Sequence, residues 1–300
     1  MSLQLLEHTT LGEPITREGI SLIPIFLPTG NGQQIDDSSV GVTIGETETP
    51  SVSSINITNT NPNPVLFVAG ETVRGGQQDR TFNVSILVPA ATALDCPVSC
   101  VERGRWSGSR EFGRSRTYSP RRVRRATQSS VSRNVSRSGM KFSNQGQVWE
   151  SVGYELSRLH TFSAASALRE ADSSIDDHEG ISGAVSEIVA GGVLPSQCGV
   201  VVTHGERVVG CEVFATPELL AAHWEALVRG FFLDLPDKVD GEPSLANAEK
   251  FLRQFTTSPA QEAPGVGLGT EFHVSDDQLV GQALVWDDAL VHASAFALAT

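Results

Sequence analysis

The sequence predicts an α+β fold whose strands pair mostly antiparallel. The first hundred residues carry short strand-like runs separated by Gly, Pro, Asn and Asp. Apolar residues then recur at helical spacing, and further strands return towards the C-terminus. An order of strands, then helices, then strands is typical of α+β folds. We therefore expect a strand-rich N-terminal half, with helices and further strands in the C-terminal half.

The predicted strands of the N-terminal half are short runs bounded by turn residues. They cover 21–27, 40–44, 51–58, 65–69, 82–88 and 97–101. Within the third run, Val52, Ile55 and Ile57 alternate with polar residues, with one slip in phase, as in a strand with one buried face. The segment TNTNPNP that follows is rich in turn-forming residues and ends this strand.

The later elements follow from helical spacing and from paired apolar runs. Helices are predicted at 148–159, at 181–189, after the capping residue Thr216 and after Ser244. Strand pairs are predicted at 198–203 with 207–214 and at 279–286 with 289–296. Because only the arginine-rich segment described next separates strands from helices, we expect residues 1–300 to form a single domain.

The segment 103–139 is rich in Arg and Ser and poor in apolar anchors. Residues 101–141 contain eleven Arg and one Lys against two acidic residues, although the whole chain has a formal net charge of -13. We expect 103–139 to be a long loop with one irregular helix after Pro120. Its arginines can bind phosphates or carboxylates, or they can pair with the acidic remainder within the chain or across an oligomer interface.

The densest group of polar residues is GETVRGGQQDR, residues 70–80, which connects two predicted strands. Gly75 and Gly76 allow positive φ and close approach of the backbone to a ligand. Gln78 and Arg80 supply an amide and a guanidinium that can bind an anion. The segment lacks the Gly-Lys-Ser/Thr ending of a P-loop. A polar hairpin turn would explain the same residues, so both interpretations stay open.

A second polar group lies in PVSCVERGRW, where a predicted strand enters the arginine-rich segment. Nearby arginines would lower the pKa of the Cys100 thiol and make it a candidate nucleophile, whereas the alternative is a small core residue. Glu71 or Glu102 could act as general base. Arg105 is a candidate ligand for an anionic group, and Trp106 offers an aromatic face for a base.

The cysteines and the termini narrow the cellular setting. Cys96 and Cys100 have no neighbouring histidine, and Cys198, His204 and Cys211 indicate a zinc site only weakly, so we expect free thiols and no metal site. The N-terminus lacks the pattern of a secretory leader, and the longest apolar stretch is too short to cross a membrane. We therefore expect a cytoplasmic protein without a membrane partner, and the sequence identifies no cofactor.

The motifs in their order resemble the ARG- and rhodanese-phosphatase-associated protein domain, a bacterial and archaeal family. The resemblance runs from about Gly19 to the C-terminus and rests on GETVRGGQQDR, PVSCVERGRW, QVWESV, GVVVTHGERVVGCEVFATPELLAAHWEALVRG and GQALVWDDALVHASAF. This chain departs from the family pattern at Asp79, where the family has Asn. The family takes its name from gene neighbourhoods with ADP-ribosylglycohydrolases and rhodanese-like phosphatases. The resemblance therefore implies a role in ADP-ribose, NAD-derived or nucleotide-phosphate metabolism.

The favoured function is the binding of a small anionic phosphorylated ligand, a nucleotide or an ADP-ribose-like molecule. Whether the protein also processes that ligand as an enzyme stays open. The alternative is a non-enzymatic assembly protein that forms a homo-oligomer through its arginine-rich segment. Nucleic-acid binding ranks lower, because the chain is acidic overall and 103–139 contains few aromatic residues.

Overall fold

The chain folds into one long antiparallel sheet, one small closed sheet and one two-stranded sheet, and helices pack against the first two. The computed structural model describes residues 3, 6, 8–28, 34–37, 40–236 and 238–298. The helices of this part are α1 (Arg121–Ser138), α2 (Gln145–Arg158), α3 (Arg169–Asp177), α4 (Glu179–Gly191), α5 (Pro217–Phe232) and α6 (Leu245–Thr257). Helices and antiparallel sheets together confirm the predicted α+β class.

The strands divide into an N-terminal and a C-terminal series. The N-terminal series is β1 (Thr10–Leu11), β2 (Ile15–Arg17), β3 (Ile20–Phe26), β4 (Val42–Glu46), β5 (Ser54–Asn59), β6 (Val65–Phe67), β7 (Thr72–Gly75), β8 (Arg80–Phe82), β9 (Ile86–Val88), β10 (Thr92–Cys100) and β11 (Glu111–Arg114). The C-terminal series is β12 (Gln197–His204), β13 (Arg207–Phe214), β14 (Ala260–Pro264), β15 (Thr270–Ser275), β16 (Leu279–Trp286) and β17 (Ala289–Ala297).

The closed sheet is built from the N-terminal series. Its strand order is β10, β5, β4, β11, β7 and β8, and β8 pairs back to β10. In β5 the buried residues alternate with half-buried ones, as the sequence pattern predicts. Ile44, Ile57, Val73 and Phe82 are among the buried apolar residues that form its core. In the pairing of β8 with β10, Arg80 lies directly opposite Cys100.

The long sheet joins both halves of the chain in the order β1, β3, β12, β13, β17, β16, β15 and β14, and β2 also pairs with β3. Residues on its two faces enter different cores. Leu22 and Val202 pack with Leu227 of α5 in one core, whereas Ile25 and Val201 belong to a second core that includes residues of α6. Helices α5 and α6 begin after Thr216 and Ser244, whose side chains accept hydrogen bonds from backbone N–H groups of the first turn, as predicted.

The arginine- and serine-rich segment differs most from its prediction. Residues 103–139 contain strand β11 and the helix α1, which spans 18 residues and is capped by Gly139. The helix expected after Pro120 is present, but it is regular and occupies about half of the segment, so the expectation of a mostly irregular long loop is wrong. Val131 and Val135 of α1 pack in the core of the closed sheet, and Gln128 Nε2 donates to Ser294 Oγ of β17 at 2.8 Å. Many positions of α1 bury polar side chains, so the apolar period that reveals most helices is weak.

The other differences are local. The predicted strand 82–88 divides into β8 and β9, and the sequence did not indicate α3, β14 or β15. In contrast, β16 has the predicted bounds, and β17 is one residue longer than predicted. In the part of the chain that the structure describes, no helix is both long and apolar enough to cross a membrane.

Candidate functional site

The two polar segments singled out in the sequence meet at one end of the closed sheet. The chain turns between β7 and β8, and β10 ends beside the start of β8. We call the polar residues at this place the ring-end cluster, which consists of Gln78, Asp79, Arg80, Cys100, Glu102, Arg105 and Arg169.

Asp79 and Glu102 form the negative centre of the ring-end cluster, and both are buried. Arg169 Nη2 donates to Asp79 Oδ1 at 3.0 Å and to Glu102 Oε2 at 2.7 Å. Arg105 Nη2 donates to Glu102 Oε2 at 2.7 Å, and the backbone N–H of Asp79 donates to the same oxygen at 3.1 Å. Two guanidinium groups therefore balance two carboxylates at a site that is largely closed to water.

The surroundings shift the pKa values of the two carboxylic acids in opposite directions. Burial raises the pKa of Asp79, and the Gly75 N–H and Arg169 offset only part of this effect. Burial also acts on Glu102, but hydrogen bonds from Arg105, the Asp79 N–H and Arg169 outweigh it and lower the pKa of Glu102. Asp79 Oδ2 and Arg169 Nε form an ion pair at 2.8 Å that lacks hydrogen-bond geometry. Neither atom has a hydrogen-bond partner among the described residues. Folding therefore favours the ionised form of Glu102 and disfavours the charged form of Asp79.

Arg105 ties the glycine turn to the acidic pair. Its Nε donates to Glu102 Oε1 at 2.9 Å, Nη1 donates to the Gly76 carbonyl at 2.8 Å, and Nη2 donates to the Gly75 carbonyl at 3.1 Å. Gly75 and Gly76 have φ values of 125° and 51°, and a Cβ on Gly76 would lie 2.1 Å from Phe112 Cζ. The two glycines thus allow the chain to pack on itself. Contact of Gly75, Gly76 and Arg105 with a ligand stays a prediction.

Cys100 is a buried, neutral thiol. Its Sγ donates to the Glu102 carbonyl at 2.9 Å and lies 3.2 Å from Gln78 Oε1. Burial raises the pKa of the thiol, and the Arg80 guanidinium lowers it to a smaller extent. The expected lowering of the Cys100 pKa is therefore wrong, because desolvation outweighs the nearby positive charge. The side chain of Gln145 holds Cys100 in place. The Cys100 backbone N–H donates to Gln145 Oε1, and Gln145 Nε2 donates to the Cys100 carbonyl, each at 2.8 Å.

Arg80 is fully buried beside this thiol. Its Nη1 donates to the Gln78 carbonyl at 2.7 Å, and Nη2 donates to the Ser51 carbonyl at 3.3 Å. Arg80 Nε is buried and has no hydrogen-bond partner in the described part of the chain. The guanidinium thus joins two loops at the ring end and keeps one unused donor.

Besides the two glycines, two predicted site residues lie outside the ring-end cluster, Glu71 and Trp106. Glu71 is buried, forms an ion pair with Arg114 at 3.3 Å, and accepts a hydrogen bond from the Val68 N–H at 3.1 Å. Burial raises the pKa of Glu71, and Arg114 offsets only part of the increase. Glu71 has no hydrogen-bond or ion-pair partner in common with Glu102 among the described residues. Trp106 directly follows Arg105 and is 52% exposed.

The sequence did not reveal that α3 completes the site. Arg169 at its start binds both Asp79 and Glu102. One turn later, Asp172 accepts hydrogen bonds from Arg74 at 3.0 Å and from Arg229 at 2.7 Å. The helix READSSIDD buries only two apolar residues, so its period is difficult to recognise. The acidic residues of its first turn, Glu170 and Asp172, are the one signal that could have found it.

The comparison with known families agrees with the resemblance seen in the motifs. The family model of the ARG and Rhodanese-Phosphatase-superfamily-associated Protein domain, ARPP-1, matches residues 8–296. The chain belongs to this family. A search among curated proteins and a search among solved structures each found no match. The whole ring-end cluster lies inside the matched ARPP-1 domain.

The chemistry available in this ARPP-1 domain follows from its polar groups. The pKa of Glu102 is lowered and that of Asp79 is raised, and the neutral Cys100 thiol is a hydrogen-bond donor. The side chains of Arg74 and Arg169 are each 33% exposed, so both can meet a dissolved anion. Among the described residues, no group of His, Cys, Asp and Glu side chains is arranged to hold a metal ion.

Proposed function

We propose that this ARPP-1 protein binds a small anionic phosphorylated ligand, a nucleotide or an ADP-ribose-like molecule, at the ring-end cluster. The exposure of Arg169, together with that of Arg74, which pairs with Asp172 one turn further along α3, carries this proposal. Each is anchored to a buried carboxylate, and each keeps one third of its side chain exposed. Among the described residues, nothing accepts a hydrogen bond from Arg169 Nη1. A guanidinium with unused donors and a fixed position binds phosphate oxygens well.

The remaining predicted ligand residues suit the other parts of such a molecule. Trp106 presents an exposed ring next to Arg105, and a nucleotide base can stack on such a ring. Gln78 and Arg80 lie deeper, where Arg80 Nε is an unused donor. We infer that the phosphates lie on the arginines and that the base lies on Trp106.

Processing of the ligand would use the acidic pair. In this scheme Glu102 is the general base, which folding keeps ionised, and Asp79 is the general acid, whose charged form burial disfavours. Cys100 then acts as a neutral donor rather than as a nucleophile. Glu71 forms a separate buried pair with Arg114 and is not needed for this step.

The assembly alternative receives less support, because much of the arginine-rich segment is used within the chain. Six of its arginines form ion pairs with carboxylates of the same chain: Arg105, Arg114, Arg116, Arg121, Arg122 and Arg124. These pairs leave fewer positive charges for a neighbouring subunit or for nucleic acid.

Calorimetric titration with ADP-ribose and AMP tests the proposal. We expect Trp106→Ala to weaken ADP-ribose binding about tenfold, because stacking on an aromatic ring contributes about 1–3 kcal/mol per base. Arg169→Lys should weaken it by a similar factor, since Lys keeps the charge but loses the paired donors. Phe162→Ala, which removes another exposed ring, is the control. Wild-type affinity in both Trp106→Ala and Arg169→Lys would exclude the ring-end cluster as the binding site.

A further inference from the structure

A groove of about 490 Å³ lies between the C-terminal half of α1 and the strands β14 and β15. It shares no lining residue with the ring-end cluster. Its walls include Ser132, Arg133, Ser136 and Arg137 of α1, and Gln261 and His273 of the strands. A groove of this size can hold a small phosphorylated molecule.

Arg133 and Arg137 give the groove an unbalanced positive charge. They are exposed and four residues apart on α1, so their side chains are neighbours on one helix face. Among the described residues, neither forms an ion pair, and Arg133 Nη2 donates only to the amide oxygen of Gln147, at 3.3 Å. In contrast, Arg121, Arg122 and Arg124 at the start of the helix each pair with a carboxylate.

The lining of the groove supplies no acid that would compensate the two arginines. None of the described lining residues is acidic. His273 Nε2 lies 3.0 Å from Glu271 Oε2, and this contact fixes the imidazole ring. The charge of Glu271 is in turn balanced by Lys141 at 2.7 Å. Two like charges one helical turn apart destabilise a helix, and a bound anion would remove that cost.

Ser132 supplies an independent indication of a ligand. Its side chain lines the groove, the residue is 6% exposed, and its Oγ has no hydrogen-bond partner among the described residues. A buried hydroxyl without a partner is unfavourable, so an acceptor in the groove would stabilise it. Beside it, Gln261 Nε2 donates to the Val135 carbonyl at 3.2 Å, which fixes the amide opposite the arginines.

We propose that this groove is a second anion site, which binds a phosphate monoester independently of the ring-end cluster. Arg133 and Arg137 contact the phosphate oxygens, and the Ser132 hydroxyl donates to one of them. Ser136 Oγ donates to Gln261 Oε1, and these two side chains form a polar wall of the groove beside the phosphate. The same phosphate chemistry is available from inorganic phosphate, so the test includes both molecules.

Calorimetric titration of the full chain with inorganic phosphate and with ribose 5-phosphate at low salt tests this site. The double variant Arg133→Gln/Arg137→Gln should bind ribose 5-phosphate at least about tenfold more weakly than the wild type. Arg207→Gln/Arg253→Gln is the matched control. It removes two exposed arginines that form no ion pair in the described part of the chain, and it should change the affinity less than about twofold.

Two further variants distinguish binding in the groove from binding at the ring-end cluster. Ser132→Ala should weaken ribose 5-phosphate binding several-fold. Arg169→Lys, which changes the guanidinium proposed to meet phosphate at the ring-end cluster, should leave binding in the groove unchanged. Tighter binding of ribose 5-phosphate than of inorganic phosphate would support recognition of the ester. The proposal is overturned if the wild type binds neither molecule, or if the control pair weakens binding as much as Arg133→Gln/Arg137→Gln does.

Discussion

Arg124 of α1 and Glu212 of β13 form a buried ion pair, with Nη1 and Oε1 2.6 Å apart. The contact continues through His292, whose Nε2 lies 3.0 Å from Glu212 Oε2 and whose Nδ1 lies 2.9 Å from Ser85 Oγ. Ser85 lies between β8 and β9, whereas Glu212 and His292 belong to the long sheet. One continuous polar chain therefore links α1, the long sheet and the residues beside the closed sheet.

The first prediction concerns this buried pair. Arg124→Met should lower the free energy of unfolding by about 3–5 kcal/mol, because it leaves the Glu212 carboxylate buried without its cation. Adding Glu212→Gln should recover part of the loss, since the amide is neutral and can still accept a hydrogen bond from His292. Urea unfolding of the single and double variants measures the difference, with exposed Arg137→Gln as control. A double variant no more stable than Arg124→Met would show that charge burial is not the cause.

The second prediction separates the two carboxylates of the ring-end cluster at pH 7. Glu102→Gln should lower the free energy of unfolding by about 2–3 kcal/mol, because the ionised form accepts charged hydrogen bonds from Arg105 and Arg169. Asp79→Asn should cost less than half as much, since burial already disfavours the charged form of Asp79. Urea unfolding measures both values. Equal losses would contradict the opposite pKa shifts.

The pH dependence of the same variants has a definite sign. The pKa of Glu102 is lowered by folding, so its stabilising contribution is present above the unfolded pKa and disappears as the pH falls through the folded value. The pKa of Asp79 is raised, so protonation of Asp79 stabilises the fold and this contribution disappears as the pH rises through the folded value. Glu102→Gln should therefore reduce the loss of stability in acid, and Asp79→Asn should not.

The third prediction concerns His204 on β12, where burial lowers the pKa to about 4. Both ring nitrogens are buried without a hydrogen-bond partner among the described residues. The folded state holds His204 in its neutral form. The free energy of unfolding therefore has its full value above about pH 6.5 and decreases as the pH falls towards 4. His204→Leu should reduce that loss by about 3 kcal/mol at pH 4. Urea unfolding at pH 4 and pH 7.5 measures it, with exposed His160→Gln as control.

An unchanged pH slope in His204→Leu would show that other buried histidines dominate the acid response. His223 and His292 are the alternatives, since burial lowers the pKa of each. Substitution of one of these two histidines should then reduce the loss of stability in acid that is assigned here to His204.

Elements with apolar periodicity could be predicted from the sequence, and elements that depend on polar partners could not. Helix α5 has both a capping Thr216 and a continuous apolar face, and strand β16 is a run of buried residues. Helix α1 buries Thr127, Gln128 and other polar residues whose partners lie far away in the sequence. Such pairings create no local period, so the sequence indicates a helix after Pro120 but not its regular 18 residues.

The same limit applies to the candidate site: the local segments could be predicted, but their distant partners could not. The two polar segments meet because β8 pairs with β10, and strand-like runs before and after them indicated that arrangement. Arg169 comes from a helix about seventy residues beyond Cys100, and only the folded chain brings it to Asp79. The direction of the Cys100 pKa shift depends on how deeply the thiol is buried, which local sequence does not determine.

The last prediction concerns the anchoring of α3, on which the ring-end cluster depends. Asp172 is buried and pairs with Arg74, Arg116 and Arg229. Asp172→Asn removes the charge that holds three guanidinium groups together, so the helix should open locally more often.

Hydrogen exchange measures that opening. In Asp172→Asn the backbone amides of α3 should exchange at least about tenfold faster than in the wild type, whereas those of β16 should not change. Asp177→Asn is the matched control, because Asp177 is exposed on the same helix and forms no ion pair among the described residues. Because Arg169 lies at the start of α3, ADP-ribose binding at the ring-end cluster should weaken along with the loss of protection. Unchanged exchange in α3 would show that packing of Ala171 and Ile175, rather than the Asp172 ion pairs, holds the helix in place.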